Sequence, residues 1–422
     1  MTATPELPGH RVALVGNVAN CLLPVALALR SHGIAAELFV GDDAPQVSRP
    51  ENVDARLAAA PWIRRGHWFP GWSALVPWRA PVVSALRAYD LVLVSGTGPM
   101  YAQWSGRPWC WWVSGHDLTA TPFPWAFRGT YPSRGRRLAA YPLALWQRRA
   151  ARRAQRIWVQ PFAPFKEAIA RLHLERPPVS SAYLPLIVGA GLVGERAGAG
   201  DPALAPVLQR MADSELVVLH PSRMLIDDGT VARRSGQWKG NDRLIRGIDE
   251  LRRRRLGLRV LLVLIDSSVS RDVAMARQLI DDLDLHEEVL WARPPGSQSF
   301  TRPQMAELYR NSDVVAVEFA SGWFGTVALE GLAMGRPVLS YIDEPSMSDL
   351  YPGGHPVVSA FEPKEIADAL ERLLDPGRRR SLGDAGRRWI AEHHAAEAAG
   401  PRYVTEVSAA LRRAKLDEPT EP

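Results

Sequence analysis

Ten short apolar runs, spaced by segments of helical or turn character, restrict the fold of this chain more than any other feature. In the first half they are RVALV (11–15), AAELFV (35–40), LVLVS (91–95), WCWWV (109–113) and RIWVQ (156–160). In the second half they are LVVLH (216–220), RVLLVLI (259–265), EVLWA (288–292), DVVAVE (313–318) and PVLSY (337–341). Apolar runs of this kind, separated by helices, form parallel sheets covered on both faces. Two such series predict an α/β protein of two doubly wound, Rossmann-like domains, and 422 residues are too many for a single core. The Gly-, Ala- and Pro-rich stretch 188–206 marks the boundary, giving domains over 1–190 and 191–400. A last helix over about 401–414 and a polar tail complete residues 401–422. Before it, EIADALERLLDPGRRRSLGDAGRRWIAEHH reads as two helices around a Pro-Gly break.

Composition removes several classes. The apolar fraction of 46% and charged fraction of 23% are those of a soluble globular protein rather than a disordered one. Cys21 and Cys110 cannot build a disulfide framework, so a reducing compartment is expected. The longest apolar run, residues 12–29, is interrupted by Asn17, Asn20 and Pro24 and lacks a basic flank. It divides better into strand (12–15), polar turn (16–20) and helix (21–32) than into a signal or membrane segment. A cytoplasmic protein follows, with the inner face of the membrane as the other location considered.

Four constellations carry chemistry. The turn Ser321–Gly325 leads from a strand into an apolar helix, and backbone N–H groups at such a helix start bind phosphate. Glu330 lies inside that helix, where its carboxylate could reach back and accept hydrogen bonds from a vicinal diol such as a ribose. Arg223 follows a strand directly, and Lys239-Gly240 opens the next helix; a guanidinium fork and an ammonium together suit a diphosphate. His116 and Asp117, at the end of an aromatic strand, could orient a sugar hydroxyl or share a proton. Gly16, Asn17 and Asn20 lie in the polar strand-end turn VGNVAN (15–20). That turn has one glycine, not the pattern of a nicotinamide-cofactor site.

With Arg223 and Lys239-Gly240 upstream, FGTVALEGLAMGRPV (324–338) resembles the donor-binding half of the GT-B glycosyltransferases, family 4 (group 1) in particular. The closing LERLLDPGRRRSLGDAGRRWI resembles the same family's C-terminal helices. The resemblance is strong over about 215–395 and weaker before residue 190. It implies two Rossmann-like domains facing a central cleft, with the last helix crossing back to the first domain. It also implies transfer of a sugar from a nucleotide-diphosphate donor to a saccharide, lipid-linked or small-molecule acceptor, with retention and without metal or cofactor. Carried over, Arg223 and Lys239 bind the diphosphate and Glu330 the ribose hydroxyls. The backbone of Gly325 and Thr326 approaches the phosphates, with Ser222, Gly322 and Phe324 beside them. Two positions depart from the family. Its first glutamate, eight residues before Glu330, is here Gly322, the nearest acid being Glu318. Its His-Gly-x-Asp motif has Ser114 in place of the histidine, with His116 displaced by two. Glu318, His116 and Asp117 are therefore the candidates for the sugar end of the pocket. A GT-B nucleotide-sugar epimerase or sugar phosphorylase is the enzymatic alternative, and an inactive GT-B binding module the alternative of another class.

Three further segments need weighing. Asp281-Asp282-Leu283-Asp284 contains Asp-x-Asp, a metal motif of other glycosyltransferases, but falls on an expected helix. The run Arg134–Arg156 holds eight arginines and no acid, with Leu138, Tyr141, Leu145 and Trp146 interleaved, a pattern suited to anionic lipid. The Trp- and Pro-rich stretch 61–78 could line an acceptor site, touch the same surface or equally belong to the core. No nucleic-acid recognition module is evident, so nucleic acid is not an expected partner.

Overall fold

The strands expected from apolar runs form two parallel sheets in a computed structural model that describes residues 9–123, 134–161, 163–174, 179–180, 184–188, 201–226, 229, 238–265, 271–294 and 300–417. The chain divides into two compact units, Met1–Gly189 with Ala395–Pro422, and Ala190–His394. Most of the stretch 188–206 expected to join the domains lies outside the described residues.

In the first unit the strands are β1 (Arg11–Val15), β2 (Ala35–Gly41), β3 (Ile63–Gly66), β4 (Leu91–Val94), β5 (Trp109–Trp112), β6 (Arg156–Trp158) and β7 (Val179–Ser180). Their order across the sheet is β3-β2-β1-β4-β5-β6-β7, with every pairing parallel. Val12 lies opposite Ala36 on one side and Leu91 on the other, so β1 is central. All four residues of β4 and of β5 are buried, which is why these strands read as continuous apolar runs. The C-terminal helix Ala396–Asp417 belongs to this unit and packs on the helix Leu23–Ser31. Ala399, Tyr403, Val407, Ala410 and Leu411 join the core built by β1, β2 and β4. Two hydrogen bonds fix the register of that helix: Tyr403 donates to the carbonyl of Pro185 at 2.7 Å, and Trp158 donates to Glu406 at 3.1 Å.

The second unit repeats the plan with β8 (Leu216–His220), β9 (Val260–Ile265), β10 (Val289–Ala292), β11 (Val314–Ala316), β12 (Val338–Ser340) and β13 (Val358–Ser359). Their order is β10-β9-β8-β11-β12-β13, again all parallel. Numbered within each unit, both sheets run 3-2-1-4-5-6, with a seventh strand added at the edge of the first, the doubly wound order in which the direction of travel across the sheet reverses between the first and fourth strands. Ligands of such sheets bind outside the carboxyl ends of the strands at that reversal. In the second unit it falls between β8 and β11, and in the first between β1 and β4.

Three strands were absent from the expectation: β3, β7 and β13. Each is an outermost or near-outermost strand, and β3 buries only Ile63 while Arg64 and Arg65 face solvent. Edge strands lack the two-sided burial that makes a run recognisable. Pro363–Arg372 and Pro376–His393 are the two helices around the Pro-Gly break, and the final helix starts at Ala396, earlier than about 401, with Pro401 inside it.

Candidate active site

At the carboxyl end of β8 the chain places a histidine with no exposed surface. His220 Nδ1–H donates to the carbonyl of Ala316 at 2.9 Å, and its Nε2 accepts from the Asn241 amide at 2.5 Å. Burial, with Lys239 nearby, pushes the imidazole down to about 4, so it is neutral. The Asn241 carbonyl oxygen accepts from the backbone of Leu225 at 2.8 Å. Asn241 therefore ties the segment after β8, which carries Ser222 and Arg223, to the start of the helix Asn241–Arg254. Arg223 itself is exposed and has no ion-pair partner among the described residues.

Lys239 is held between the two strand ends by its backbone. Its N–H donates to the carbonyl of Leu225 at 3.2 Å, and its carbonyl accepts from Phe319 at 2.8 Å. The ammonium then donates to Glu318, whose side chain is 4% exposed, and Ser321 donates to the other carboxylate oxygen. Glu318 is thus already committed to fixing Lys239. Beside it, Arg243 donates to the carbonyl of Phe319 at 2.9 Å and lies against the rings of Trp238 and Phe361, 4.8 and 3.6 Å from their centres.

The turn after β11 explains Gly322. Its φ is +78°, and a Cβ there would lie 2.8 Å from the Asp343 Cβ. Its carbonyl accepts from the Asp343 N–H at 2.8 Å. No glutamate fits this position without displacing Asp343. Trp323 and Phe324 stack at 4.7 Å, and Phe324 meets Trp389 edge-on at 5.4 Å. Phe324 has no exposed surface, so its side chain anchors the turn to the helix Pro376–His393 rather than lining a pocket. Gly325 caps the helix Thr326–Ala333 with open space where a side chain would project, and Thr326 is exposed. The Ala328 N–H already donates to the Gly325 carbonyl at 3.1 Å, which leaves the N–H groups of Thr326 and Val327 without an intrahelical acceptor.

Glu330 is 7% exposed and already bonded through both oxygens. Arg302 donates to one, and the fully buried Tyr309 hydroxyl donates to the other at 2.8 Å. Burial together with this carboxylate raises the Tyr309 hydroxyl well above its ordinary value. Each oxygen retains a lone pair, so a diol could still be accepted, but the carboxylate is also the anchor of an internal ion pair.

In the first unit the turn after β1 crosses against β4. Gly16 has φ +91°, and a Cβ on it would lie 1.9 Å from the Ser95 carbonyl oxygen. Asn17 donates to Asn20 at 2.7 Å and to the Ser48 carbonyl at 3.0 Å, and its oxygen accepts from Leu22 N–H. Asn20 donates to the carbonyls of Val47 and Arg49, both at 3.0 Å. These two buried side chains staple loops together. Next to them lies a cavity of about 230 Å³ lined by Gly16, Asn17, Phe39, Asp43, Phe69 and Gly98 among others.

Asp117 does not act as a proton-sharing partner in this arrangement. It is buried, and its carboxylate accepts from the N–H groups of Gly96, Ser114, Gly115 and Leu118 and from the Trp111 indole, at 2.8–3.2 Å. Burial pushes this carboxyl up while those donors pull it down. Asp117 therefore shapes the loops after β4 and β5, whereas its neighbour His116 is exposed. Among the described residues, no group of three His, Cys, Asp or Glu could hold a metal. Asp281 and Asp282 lie on the helix Arg271–Asp282, where Asp282 accepts from Gln278.

The structure brings Lys239, Glu318 and the Arg223 segment to the β8/β11 strand ends, with the turn Ser321–Gly325 running on from β11. Sequence reasoning missed Arg302, Tyr309, His220 and Asn241, and the role of the Ser321 side chain. Only Arg302 carried a local signal, since Thr301-Arg302-Pro303-Gln304 is a capping box at the start of the helix Arg302–Asn311.

Residues 230–389 match the family described as Glycosyl transferases group 1. D-inositol 3-phosphate glycosyltransferase of Paenarthrobacter aurescens (strain TC1) is 31% identical over 166 residues, 39% of this chain and 38% of that protein. The protein of the same description from Nocardia farcinica (strain IFM 10152) is 36% identical over 152 residues, 34% of this chain and 32% of that one. The matches thus span well under half the length of these relatives. Among solved structures, sucrose-phosphate synthase from Thermosynechococcus elongatus has a TM-score of 0.62 at 17% identity, covering 96% of this chain and 99% of that one. A glycosyltransferase from Rickettsia africae ESF-5 has a TM-score of 0.60 at 12% identity, with 97% and 99% covered. At those identities the likeness is one of fold, the GT-B class of two Rossmann-like units.

Proposed function

We propose that this protein is a glycosyltransferase that moves a sugar from a nucleotide-diphosphate donor to an acceptor hydroxyl, a reading supported by the match of residues 230–389 to the group 1 glycosyl transferases. The observation that carries the reading is Lys239, clasped by Glu318 and fixed through its backbone between β8 and β11 at the reversal of strand order. In this reading the diphosphate meets the Lys239 ammonium and the exposed Arg223 guanidinium, and the Thr326 and Val327 N–H groups at the start of Thr326–Ala333 add a favourable dipole. Charge grows on the diphosphate as the bond to the anomeric carbon breaks, so fixed cations there favour the transition state over the bound donor. The acceptor oxygen forms the new bond to that carbon, and its proton passes to the leaving diphosphate. The proposal includes retention of anomeric configuration and no metal or cofactor.

Glu318 takes a different role from a sugar ligand. Both its oxygens hold site residues, so it is a positioning residue that keeps Lys239 aimed. Glu330 accepts ribose hydroxyls with the lone pairs left by Arg302 and Tyr309. The names of the relatives make an inositol phosphate the first acceptor to test. Nucleoside diphosphate released from a panel of nucleotide-diphosphate sugars is measured with and without D-inositol 3-phosphate and free sugars. Acceptor-dependent release that falls at least tenfold in Lys239→Ala supports the reading. Binding of every donor with no turnover assigns the fold to a binding module instead, and product that is an isomerised donor assigns it to an epimerase.

A further inference from the structure

Charge is distributed very unevenly along the chain. Residues 55–166 contain sixteen Lys and Arg and only two acids, Asp90 and Asp117. That segment is +14 in a chain of net +6, leaving −8 on the remainder. Of the two, Asp117 is buried under its five donors, so the exposed Asp90, which accepts from the Arg11 N–H and pairs with His10, is the one acid of the segment at the surface.

The exposed apolar side chains fall in the same place. Of the nine large hydrophobic residues that are exposed among the described residues, six are Trp72, Leu75, Trp78, Leu138, Tyr141 and Leu145. The first three lie on and around the turns Gly71–Ala74 and Pro77–Arg79, and the others on the helix Arg134–Ala151. The two segments pack together. The turn Gly71–Ala74 contacts the helix, and Trp78 meets Trp146 edge-on at 5.5 Å and Trp104 at 5.5 Å. Leu138, Tyr141, Leu145 and Arg149 follow one another at spacings of three and four, so they form one stripe of the helix, apolar until Arg149, with Arg152 and Arg153 in the turn just after its end. Arg149, Arg152, Arg153 and Arg79 are exposed. Leu138 is 70% exposed and Leu145 59%, on a helix whose other face buries Ala144, Gln147 and Ala150 in the unit. The exposure is therefore not fraying.

We propose that this surface docks the first unit onto the face of a lipid bilayer bearing anionic headgroups. Tryptophan, tyrosine and leucine on two adjoining segments give the apolar depth, and the arginines, with no acid over residues 134–156, select negative headgroups. No described helix is long and apolar enough to cross a membrane, so the contact is peripheral. The surface belongs to the first unit and Lys239 to the second, and the test does not involve sugar transfer.

The full chain is mixed with vesicles of phosphatidylcholine alone and with vesicles in which about a third is phosphatidylglycerol, and binding is read by co-sedimentation and by tryptophan emission. Binding is expected to be at least about tenfold stronger on the anionic vesicles and to weaken with added salt. Replacing Arg149, Arg152 and Arg153 by Gln together lowers it on the order of 100-fold. The pair Trp72→Gln and Leu145→Gln lowers it and removes the blue shift of emission. All five positions are exposed, and a melting curve verifies folding. Leu138→Gln is the second apolar variant, should that pair fold poorly. Equal binding to both vesicles, no binding, or variants that bind like the original overturn the proposal. So does binding to a DNA oligonucleotide in place of anionic vesicles, or a dimer that dissociates in the apolar variants, since either assigns the patch to another partner.

Discussion

Glu330→Ala separates the structural from the ligand-binding role of this carboxylate. Removing it leaves Arg302, whose side chain is 18% exposed, without its counter-charge, and Tyr309, which is fully buried, without an acceptor. Breaking such a buried pair from one side costs about 3–5 kcal/mol, much of it the penalty of the charge left behind. For a unit of this size each kcal/mol lowers Tm by roughly 2–4 °C, so a fall on the order of 10 °C is expected. Glu330→Gln keeps an acceptor for Tyr309 and loses only the charge, so it costs about half as much. Adding Arg302→Met to Glu330→Ala removes the orphaned guanidinium, and the double variant melts above Glu330→Ala alone. Thermal denaturation by circular dichroism, combined with nucleotide titration of each variant, gives the two roles separately. Arg302→Met leaves the carboxylate in place and is expected to retain nucleotide binding. A Glu330→Ala melting point within about 2 °C of the original, or strictly additive effects in the double variant, refutes the internal ion pair as the anchor of this helix.

Other expectations concern the residues around the site. His220 titrates at about 4 in the fold against about 6.5 unfolded, so the unfolded chain binds more protons between those values. Its contribution is complete above pH ~6.5 and declines as pH falls toward 4, by about 3 kcal/mol in all; His220→Gln flattens the Tm–pH curve across that window, whereas an unchanged curve contradicts the assignment. Gly322→Glu, which would supply the family's usual glutamate, is expected to destabilise by at least about 1–3 kcal/mol through its positive φ and the 2.8 Å approach to Asp343, with no gain in turnover. A stable, faster Gly322→Glu enzyme would contradict the steric account. Asp117→Asn puts an amide against backbone N–H groups and should cost about 3 kcal/mol, seen as faster hydrogen exchange at Gly96, Ser114, Gly115 and Leu118. Unchanged exchange at those amides would mean the loops are held by other contacts.

What could be read from the sequence followed burial. Central strands such as β4, β8 and β9 are apolar on both faces because helices cover both, and their runs announce them. β3 has a single buried residue and β13 is two residues long, so neither leaves a pattern. The places of Arg223, soon after β8, and of Lys239, just before the helix Asn241–Arg254, were legible from the strand and helix pattern. Their partners were not: Glu318 lies 79 residues from Lys239 and Arg302 lies 28 from Glu330, and no spacing rule joins them. Asn17, Asn20 and Asp117 looked like ligand-facing groups because polar residues at strand ends commonly are, yet each spends its hydrogen bonds on neighbouring loops. Gly322 read as a missing carboxylate, since a positive φ and a neighbour at van der Waals distance are facts of three dimensions.

The central claim is that the β8/β11 strand ends hold a nucleoside diphosphate through Lys239. Calorimetric titration of uridine, guanosine and adenosine diphosphates, each beside its nucleoside, tests it most directly in the original protein and in Lys239→Ala. At least one diphosphate is expected to bind, and Lys239→Ala to weaken it about 10- to 100-fold while the nucleoside is unaffected. Equal affinity of Lys239→Ala for that diphosphate, or no diphosphate bound at all, would contradict it.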